Sequence, residues 1–111
     1  MELAADTELD EMTGFQFSVA IVEAVNNCIA HAYRGEAGHP VTLFWIPGEG
    51  FVTVEIRDRG IPMPTPLPNP VTTAQVEAES GRGWYIIREW TDEVSYERAD
   101  GENVLTLTRR L

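Results

Sequence analysis

Apolar and polar residues recur with the period of an α-helix from Phe15 to about Tyr33. Five apolar residues are spaced there by three, four or seven positions: Phe15, Val22, Val25, Ile29 and Ala32. Because this spacing places them on one stripe of the helix, we expect the stripe to face the core. Residues 1–14 are polar and acidic, and they indicate the end of another helix followed by a turn at Thr13-Gly14.

Runs of β-branched and aromatic residues predict two pairs of strands. The first pair, 41–46 and 51–57, flanks the sequence Pro-Gly-Glu-Gly, which is typical of a hairpin loop. The second pair, 94–98 and 103–110, flanks the sequence Ala-Asp-Gly, which again favours a turn. We therefore expect two antiparallel hairpins, one in each half of the chain.

Between the two hairpins lie a long loop and a second helix. The loop contains five prolines from Pro62 to Pro70 and ends near Ser80, and it is too rich in proline for regular structure in its first half. Helical spacing then returns in residues 84–93. The order of helix, two strands, loop, helix and two strands predicts an α+β fold, a two-layer sandwich whose sheet is mixed and mostly antiparallel.

Composition narrows the classes of protein to consider. The chain has 111 residues, and we expect one domain spanning residues 1–111. Its net charge of -10 argues against direct binding to nucleic acid or to an anionic membrane surface, because both ligands attract basic patches. No apolar run is long enough for a membrane span, and the acidic N-terminus is unlike a secretory signal.

The absence of lysine and the presence of only one cysteine exclude several kinds of catalytic and metal site. All eight Lys/Arg positions are arginine, so the chain has no P-loop lysine and no Schiff-base lysine. Cys28 is the single cysteine and forms no internal disulfide, and with only His31 and His39 beside it the chain lacks a ligand set for structural zinc. A reducing, cytoplasmic location is the natural expectation.

The predicted first helix carries an unusual polar strip. Glu23, Asn27 and His31 follow one another at intervals of four, so they share a face, and small alanines flank them. A carboxylate and a carboxamide one turn apart offer a general base and an oxygen ligand for a hard cation such as Mg²⁺. The plain alternative is a solvated helix face, although asparagine is a poor helix former.

Two glycine motifs carry the remaining candidate chemistry. Asp58 and Gly60 follow a predicted strand, where the carboxylate can accept a hydrogen bond from a ligand; an ordinary turn is the alternative. Gly81, Arg82 and Gly83 precede a predicted helix, whose free N–H groups and positive dipole end favour phosphate. Arg82 adds a positive charge at that point.

Taken in order, the segments EAVNNCIAHAY, DRGIP and GRGWYIIREWTDEV resemble the N-box, G1 box and G2 box of the GHKL-type (histidine kinase-like) ATPases. The resemblance is strongest to the anti-sigma factor serine kinases of the RsbW type, and it covers roughly residues 15 to 110. It implies a protein serine/threonine kinase that uses ATP and Mg²⁺. The implied partners are a sigma factor and a STAS-type anti-anti-sigma protein, which would be the phosphoryl acceptor.

The resemblance also implies a role for each matching residue. Glu23 corresponds to the general base, and Asn27 to the ligand of Mg²⁺. Asp58 corresponds to the residue that binds the adenine amino group, with Gly60 beside the base. Gly81 and Gly83, with Arg82 between them, correspond to the residues that contact phosphate. The loop from Met63 to Ser80 corresponds to the nucleotide lid. His31 either contacts phosphate or is structural.

Three features depart from the family pattern. Pro62 replaces the second glycine of the G1 box, and either Asn103 or Thr106 stands for a nucleotide-contacting threonine. Family members usually have a strand and most of a helix before the segment that begins this chain. We expect either a piece of a larger protein or a short form that completes itself as a homodimer.

Four functional hypotheses remain open from the sequence. The first is the kinase, and the second is a non-catalytic switch in which ATP sets the lid conformation seen by a partner. Glu23 favours the kinase, because a switch needs Asn27 and Asp58 but no base. The third is the ATP-binding domain of a histidine kinase, which Pro62 disfavours, and the fourth is a domain that has lost nucleotide binding.

Overall fold

The first helix, α1, runs from Glu11 to Ala32 in a computed structural model that describes residues 10–34, 36, 38–77 and 81–111. Asp10 is its N-cap, and Asp10 Oδ1 accepts a hydrogen bond of 2.7 Å from the backbone N–H of Thr13. The predicted turn at Thr13-Gly14 is therefore wrong, because the cap starts the helix before those residues. The expectation for residues 1–9 lies outside the described part of the chain.

Helix α1 faces the core with a different stripe from the one that the sequence predicted. Its buried residues share the helical period and are mostly small: Gly14, Phe17, Ala20, Ile21, Ala24, Cys28 and Ala32. Of the predicted stripe, Ala32 is buried and Val25 packs against the core, but Phe15, Val22 and Ile29 are 61%, 40% and 38% exposed. Both stripes fit the helical period, and the small residues allow α1 to lie close to the sheet.

The sheet has four strands and only antiparallel pairings within the described residues. The strands are β1 (Thr42–Gly48), β2 (Phe51–Asp58), β3 (Glu93–Ala99) and β4 (Glu102–Arg110), in the spatial order β1-β2-β4-β3. Both predicted hairpins are confirmed, and glycines with positive φ, Gly50 and Gly101, lie at their turns.

The central strands β2 and β4 point every second side chain into the core. Val52, Val54 and Ile56 of β2 are buried and pair directly with β4, where Leu105 and Leu107 are buried as well. These five side chains lie in one cluster with residues of α1. The opposite face of the same strands is polar; there, for example, the hydroxyls of Thr53 and Thr108 are hydrogen-bonded at 3.1 Å.

Two further helices follow the proline loop. Helix α3 spans Gly81–Glu89, so it begins three residues before the predicted range, and it buries Trp84 and Ile87 in the core. Helix α2, Thr73–Glu77, was not expected. Thr72 Oγ1 accepts from the N–H of Gln75 at 3.1 Å while Gln75 Oε1 accepts from the N–H of Thr72 at 3.0 Å, which is a capping box.

The predicted α+β two-layer architecture is confirmed. One layer is the antiparallel sheet, and the other contains α1 and α3, which pack against each other. None of the helices within the described residues is both long and apolar enough to span a membrane.

Candidate functional site

One end of the candidate site lies where β2 ends, at Asp58. Its carboxylate is 3% exposed, and Oδ1 accepts hydrogen bonds from the N–H of Gly60 at 2.9 Å and from Asn103 Nδ2 at 2.7 Å. A Cβ on Gly60 would overlap the carbonyl group of Ala32, so the loop after Asp58 needs glycine to lie against the end of α1. The next residue fixes this contact, because Ile61 donates its N–H to the Ala32 carbonyl at 2.9 Å.

The strand register shows which of Asn103 and Thr106, the two alternatives from the sequence, lies beside Asp58. Asn103 pairs with Asp58 across the sheet and is fully buried on the core side. Thr106 pairs with Glu55, three positions farther along β4, and the alternation of side chains places it on the polar face of the sheet. Asn103 is therefore the residue that contacts Asp58, and sequence reasoning did not identify it alone.

The other end of the site lies between α1 and α3. Glu23 and Asn27 are half-buried and one turn apart on α1, and both face Gly83 in the first turn of α3. A Cβ on Gly83 would lie 2.9 Å from Glu23 Oε2 and 3.5 Å from Asn27 Nδ2. The absence of a side chain at position 83 leaves room for the Glu23 carboxylate and the Asn27 amide against α3.

Asn27 carries an unusual feature for a polar group inside a protein. Its Nδ2 atom is buried and has no hydrogen-bond partner among the described residues. A buried amide without a partner costs about 1–3 kcal/mol, so such groups mark places where a ligand or an ion completes the bonding. Asn27 thus offers Nδ2 to a phosphate oxygen and Oδ1 to a cation such as Mg²⁺.

The start of α3 provides further groups for an anion. Gly81 is buried, and a Cβ on it would overlap the backbone carbonyl of Gln75 in α2. Arg82 is exposed at the same helix start. The N–H groups of the first turn lack partners inside the helix and lie at the positive end of its dipole, beside Glu23 and Asn27. This arrangement suits phosphate next to a cation.

The proline segment, residues 63–68, lies against α1 and α3. His31 is exposed on α1, and it lines a cavity of about 120 Å³ together with Met63, Pro64, Pro66, Pro68 and Trp84. Hydrogen bonds hold this segment down, from the N–H of Met63 to Tyr96 Oη at 2.8 Å and from Arg88 Nε to the Pro68 carbonyl at 3.2 Å. Pockets for drug-sized ligands are typically about 300–1,000 Å³, so this cavity is smaller than a typical ligand pocket.

A larger cavity of about 680 Å³ lies at the C-terminal end of α1. Tyr33, Gly60 and Arg98 are among its lining residues, whereas Glu23, Asn27, Asp58 and Gly83 are not. Its size therefore does not identify it as the candidate site.

Cys28 lies on α1 next to Asn27, but on the buried face. Burial in the core, followed by the charge of nearby Asp58, raises the pKa of its thiol to about 12. The thiol is therefore protonated at neutral pH.

The sequence-predicted residues therefore form two groups rather than one. Glu23 and Asn27 meet Gly83, while Asp58 and Gly60 meet Asn103. Glu23 and Asn27, on the polar strip of α1, lie beside its buried stripe and face α3.

Comparison with known proteins identifies the family to which this chain belongs. The sequence profile of the histidine kinase-like ATPase domain matches residues 1–109. The anti-sigma F factor of Geobacillus kaustophilus is 33% identical over 95 residues, which are 83% of this chain and 64% of that protein. The anti-sigma F factor of Bacillus thuringiensis (strain Al Hakam) is 35% identical over 92 residues, 80% of this chain and 62% of that protein.

The chain thus spans less than two thirds of the length of these two relatives. Among solved structures, the histidine kinase AdeS of Acinetobacter baumannii shares the fold, with a TM-score of 0.54 and 12% identity over 86% of this chain and 46% of that chain. The resemblance that the three sequence boxes indicated is confirmed. This chain belongs to the histidine kinase-like ATPase domain family.

Proposed function

We propose that this chain binds ATP with Mg²⁺ and transfers the terminal phosphoryl group to a serine or threonine of a partner protein, as an anti-sigma factor. The family is one of ATPase domains, and the relatives named above are anti-sigma F factors. The sigma factor that it binds and a STAS-type anti-anti-sigma protein as phosphoryl acceptor belong to the same proposal.

One observation carries the proposal. Glu23, Asn27 and Gly83 meet at the start of α3, and a buried N–H of Asn27 has no partner among the described residues. A carboxylate, a carboxamide with a free donor and the positive end of a helix are what phosphoryl transfer needs at the reacting end of ATP.

In this proposal, the two ends of the site bind different parts of ATP. Asp58 accepts a hydrogen bond from the adenine amino group, and the first-turn N–H groups near Gly81 and Gly83 donate to phosphate oxygens. Asn27 would hold Mg²⁺ through Oδ1. The ion, when bound, neutralises charge on the phosphates and orients them for transfer.

Glu23 acts on the acceptor hydroxyl. It takes the hydroxyl proton as the oxygen bonds to the γ-phosphorus, while the bond from that phosphorus to the β,γ-bridging oxygen breaks and ADP leaves. No covalent enzyme intermediate is needed, because positioning and charge stabilisation supply most of the catalysis in this reaction class.

The test combines binding with phosphoryl transfer. ATP is titrated calorimetrically with and without Mg²⁺ into the wild type, Glu23→Gln and the control Glu49→Gln, whose carboxylate is exposed in the β1–β2 turn. Transfer of labelled phosphate is then measured on STAS-type proteins. We expect Glu23→Gln to keep ATP affinity within about twofold but to lose at least about 100-fold in transfer.

Two results would contradict the kinase. If the wild type binds ATP but transfers nothing, the non-catalytic switch is the correct function. If the wild type does not bind ATP with Mg²⁺ even at millimolar concentration, both functions are wrong, and a domain that acts by protein contact alone takes their place.

A further inference from the structure

A chain of hydrogen bonds extends from Asp58 to the surface through two residues that the function above does not use. Asn103 Nδ2 donates to Asp58 Oδ1 at 2.7 Å and to the Gly60 carbonyl at 3.1 Å. Arg98 Nη1 donates to Asn103 Oδ1 at 2.8 Å and to the same Gly60 carbonyl at 2.9 Å. Arg98 itself is exposed, whereas Asn103 and Asp58 are buried.

The guanidinium fixes which way the Asn103 amide points. Arginine has only donors, so the atom of Asn103 that faces it must be the oxygen. The NH₂ group then faces Asp58 and the Gly60 carbonyl, which are both acceptors. The opposite orientation would put the amide oxygen against a carboxylate and the NH₂ group against Arg98, which leaves every contact mismatched.

This orientation in turn fixes the Asp58 carboxylate. Asp58 accepts hydrogen bonds from the N–H of Gly60 and from Asn103 Nδ2 within the described residues. Both donors bind the same oxygen, Oδ1. The carboxylate is therefore held in one rotamer, and Oδ2 keeps its capacity to accept a hydrogen bond. A fixed acceptor favours a base that presents an amino group, as adenine does, and repels one that presents a carbonyl oxygen, as guanine does.

We propose that Asn103 and Arg98 are positioning residues that hold Asp58 in the orientation for reading the 6-amino group of adenine. This inference rests on the proposed binding of ATP. Neither residue touches the base in this scheme; each acts through Asp58. The effect of changing them must therefore depend on whether the nucleotide has the amino group.

The experiment couples two protein variants to a change in the ligand. Arg98→Met removes the guanidinium from an exposed position, and Asn103→Leu removes the amide while keeping the branched shape and the number of heavy atoms of the side chain. The control is Arg110→Met, an exposed arginine at the other end of the sheet. Each protein is titrated by calorimetry with ATP, with GTP and with the triphosphate of purine riboside, which lacks the 6-amino group, and its thermal midpoint is recorded.

We expect Arg98→Met to weaken ATP binding about tenfold, to weaken the purine riboside triphosphate less than about twofold and to lower the ATP/GTP preference. Asn103→Leu should show the same pattern more strongly; if it fails to fold, the Arg98 variant decides. Equal losses for ATP and the analogue, or no loss of ATP affinity, would overturn this inference alone. Absence of nucleotide binding by the wild type would overturn the proposed function and this inference together.

Discussion

The two ends of the site are built on opposite principles. At the base end, the end with Asp58 that is proposed to bind adenine, Asp58 is buried and already accepts two hydrogen bonds, from Gly60 and Asn103. At the phosphate end, the end with Glu23 and Asn27 that is proposed to bind the phosphates, Asn27 keeps a buried N–H without a partner among the described residues. The first end is preorganised by its neighbours in the protein, whereas the second depends on a ligand to complete its hydrogen bonds.

The difference follows from the elements that carry each end. Asp58 and Asn103 are paired residues of two central strands, and the ladder between β2 and β4 holds them at a fixed distance. Glu23 and Asn27 stand on a helix, and only side-chain packing and the glycine at position 83 set their distance from α3. If ATP binds as proposed, a rigid base end and an adaptable phosphate end would let binding begin at the base.

Substituting the glycine at each end should give the largest difference in stability between the two ends. Gly60→Ala places a Cβ on the backbone of Ala32, which cannot move away, so we expect the free energy of unfolding to fall by about 3 kcal/mol. Gly83→Ala is the matched change at the other end. There the Cβ meets the tip of the flexible Glu23 side chain, and the loss should stay below about 1 kcal/mol. Urea unfolding of both variants measures the difference, and equal losses would contradict it.

The second change tests the acceptor at the base end. Asp58→Asn keeps the shape of the side chain but presents a donor where the adenine amino group is expected. We expect ATP affinity to fall about 50-fold by calorimetry, equally with and without Mg²⁺, because the contact is with the base. A loss that appears only in the presence of Mg²⁺ would show that Asp58 acts at the phosphates instead.

The third change separates stability from function at the phosphate end. Asn27→Leu replaces the unpartnered amide by an apolar group of similar size, and we expect the ligand-free protein to gain about 1 kcal/mol in the free energy of unfolding. The same variant should lose the part of ATP affinity that depends on Mg²⁺. Asn26→Leu, at an exposed position of the same helix, is the control. A destabilised Asn27→Leu would mean that the amide has a structural partner.

The smallest effect is expected at the proline segment over the site. Arg88→Met removes the hydrogen bond to the Pro68 carbonyl and loosens residues 63–68. We expect the association rate of a fluorescent ATP analogue to rise about twofold to threefold in stopped-flow measurements, since one exposed hydrogen bond is worth about 0.5–1.5 kcal/mol. An unchanged rate would indicate that the N–H of Met63 and its bond to Tyr96 hold the segment by themselves.

Much of the fold was predictable, because strands and turns have strong local patterns. Both hairpins were read from β-branched runs around glycine-containing turns, and the three sequence boxes indicated the family. The core face of α1 was predicted wrongly, since Phe15 and Val22 have the same period as the buried Phe17 and Ile21 and are equally apolar. Which stripe is buried depends on how closely the sheet approaches, and that is a property of the tertiary structure.

The site was predictable in part for a similar reason. Glu23, Asn27 and Asp58 stand in recognisable local segments, but the partner of Asp58 lies 45 residues away in the sequence. Choosing Asn103 over Thr106 requires the register of β2 against β4, and a shift by one residue would turn every side chain to the other face. The capping box of α2, by contrast, was present in the sequence as Thr72 and Gln75 and was overlooked.

The burial of Cys28 has a practical consequence for measurements on the proline segment. Its thiol has a pKa of about 12 and is inaccessible, so maleimide dyes at neutral pH leave it unlabelled in the folded protein. A cysteine introduced at the exposed Thr65 would then be the single reactive thiol in the chain. A fluorophore attached there would report the movement of the proline segment in real time, with the native cysteine left in place.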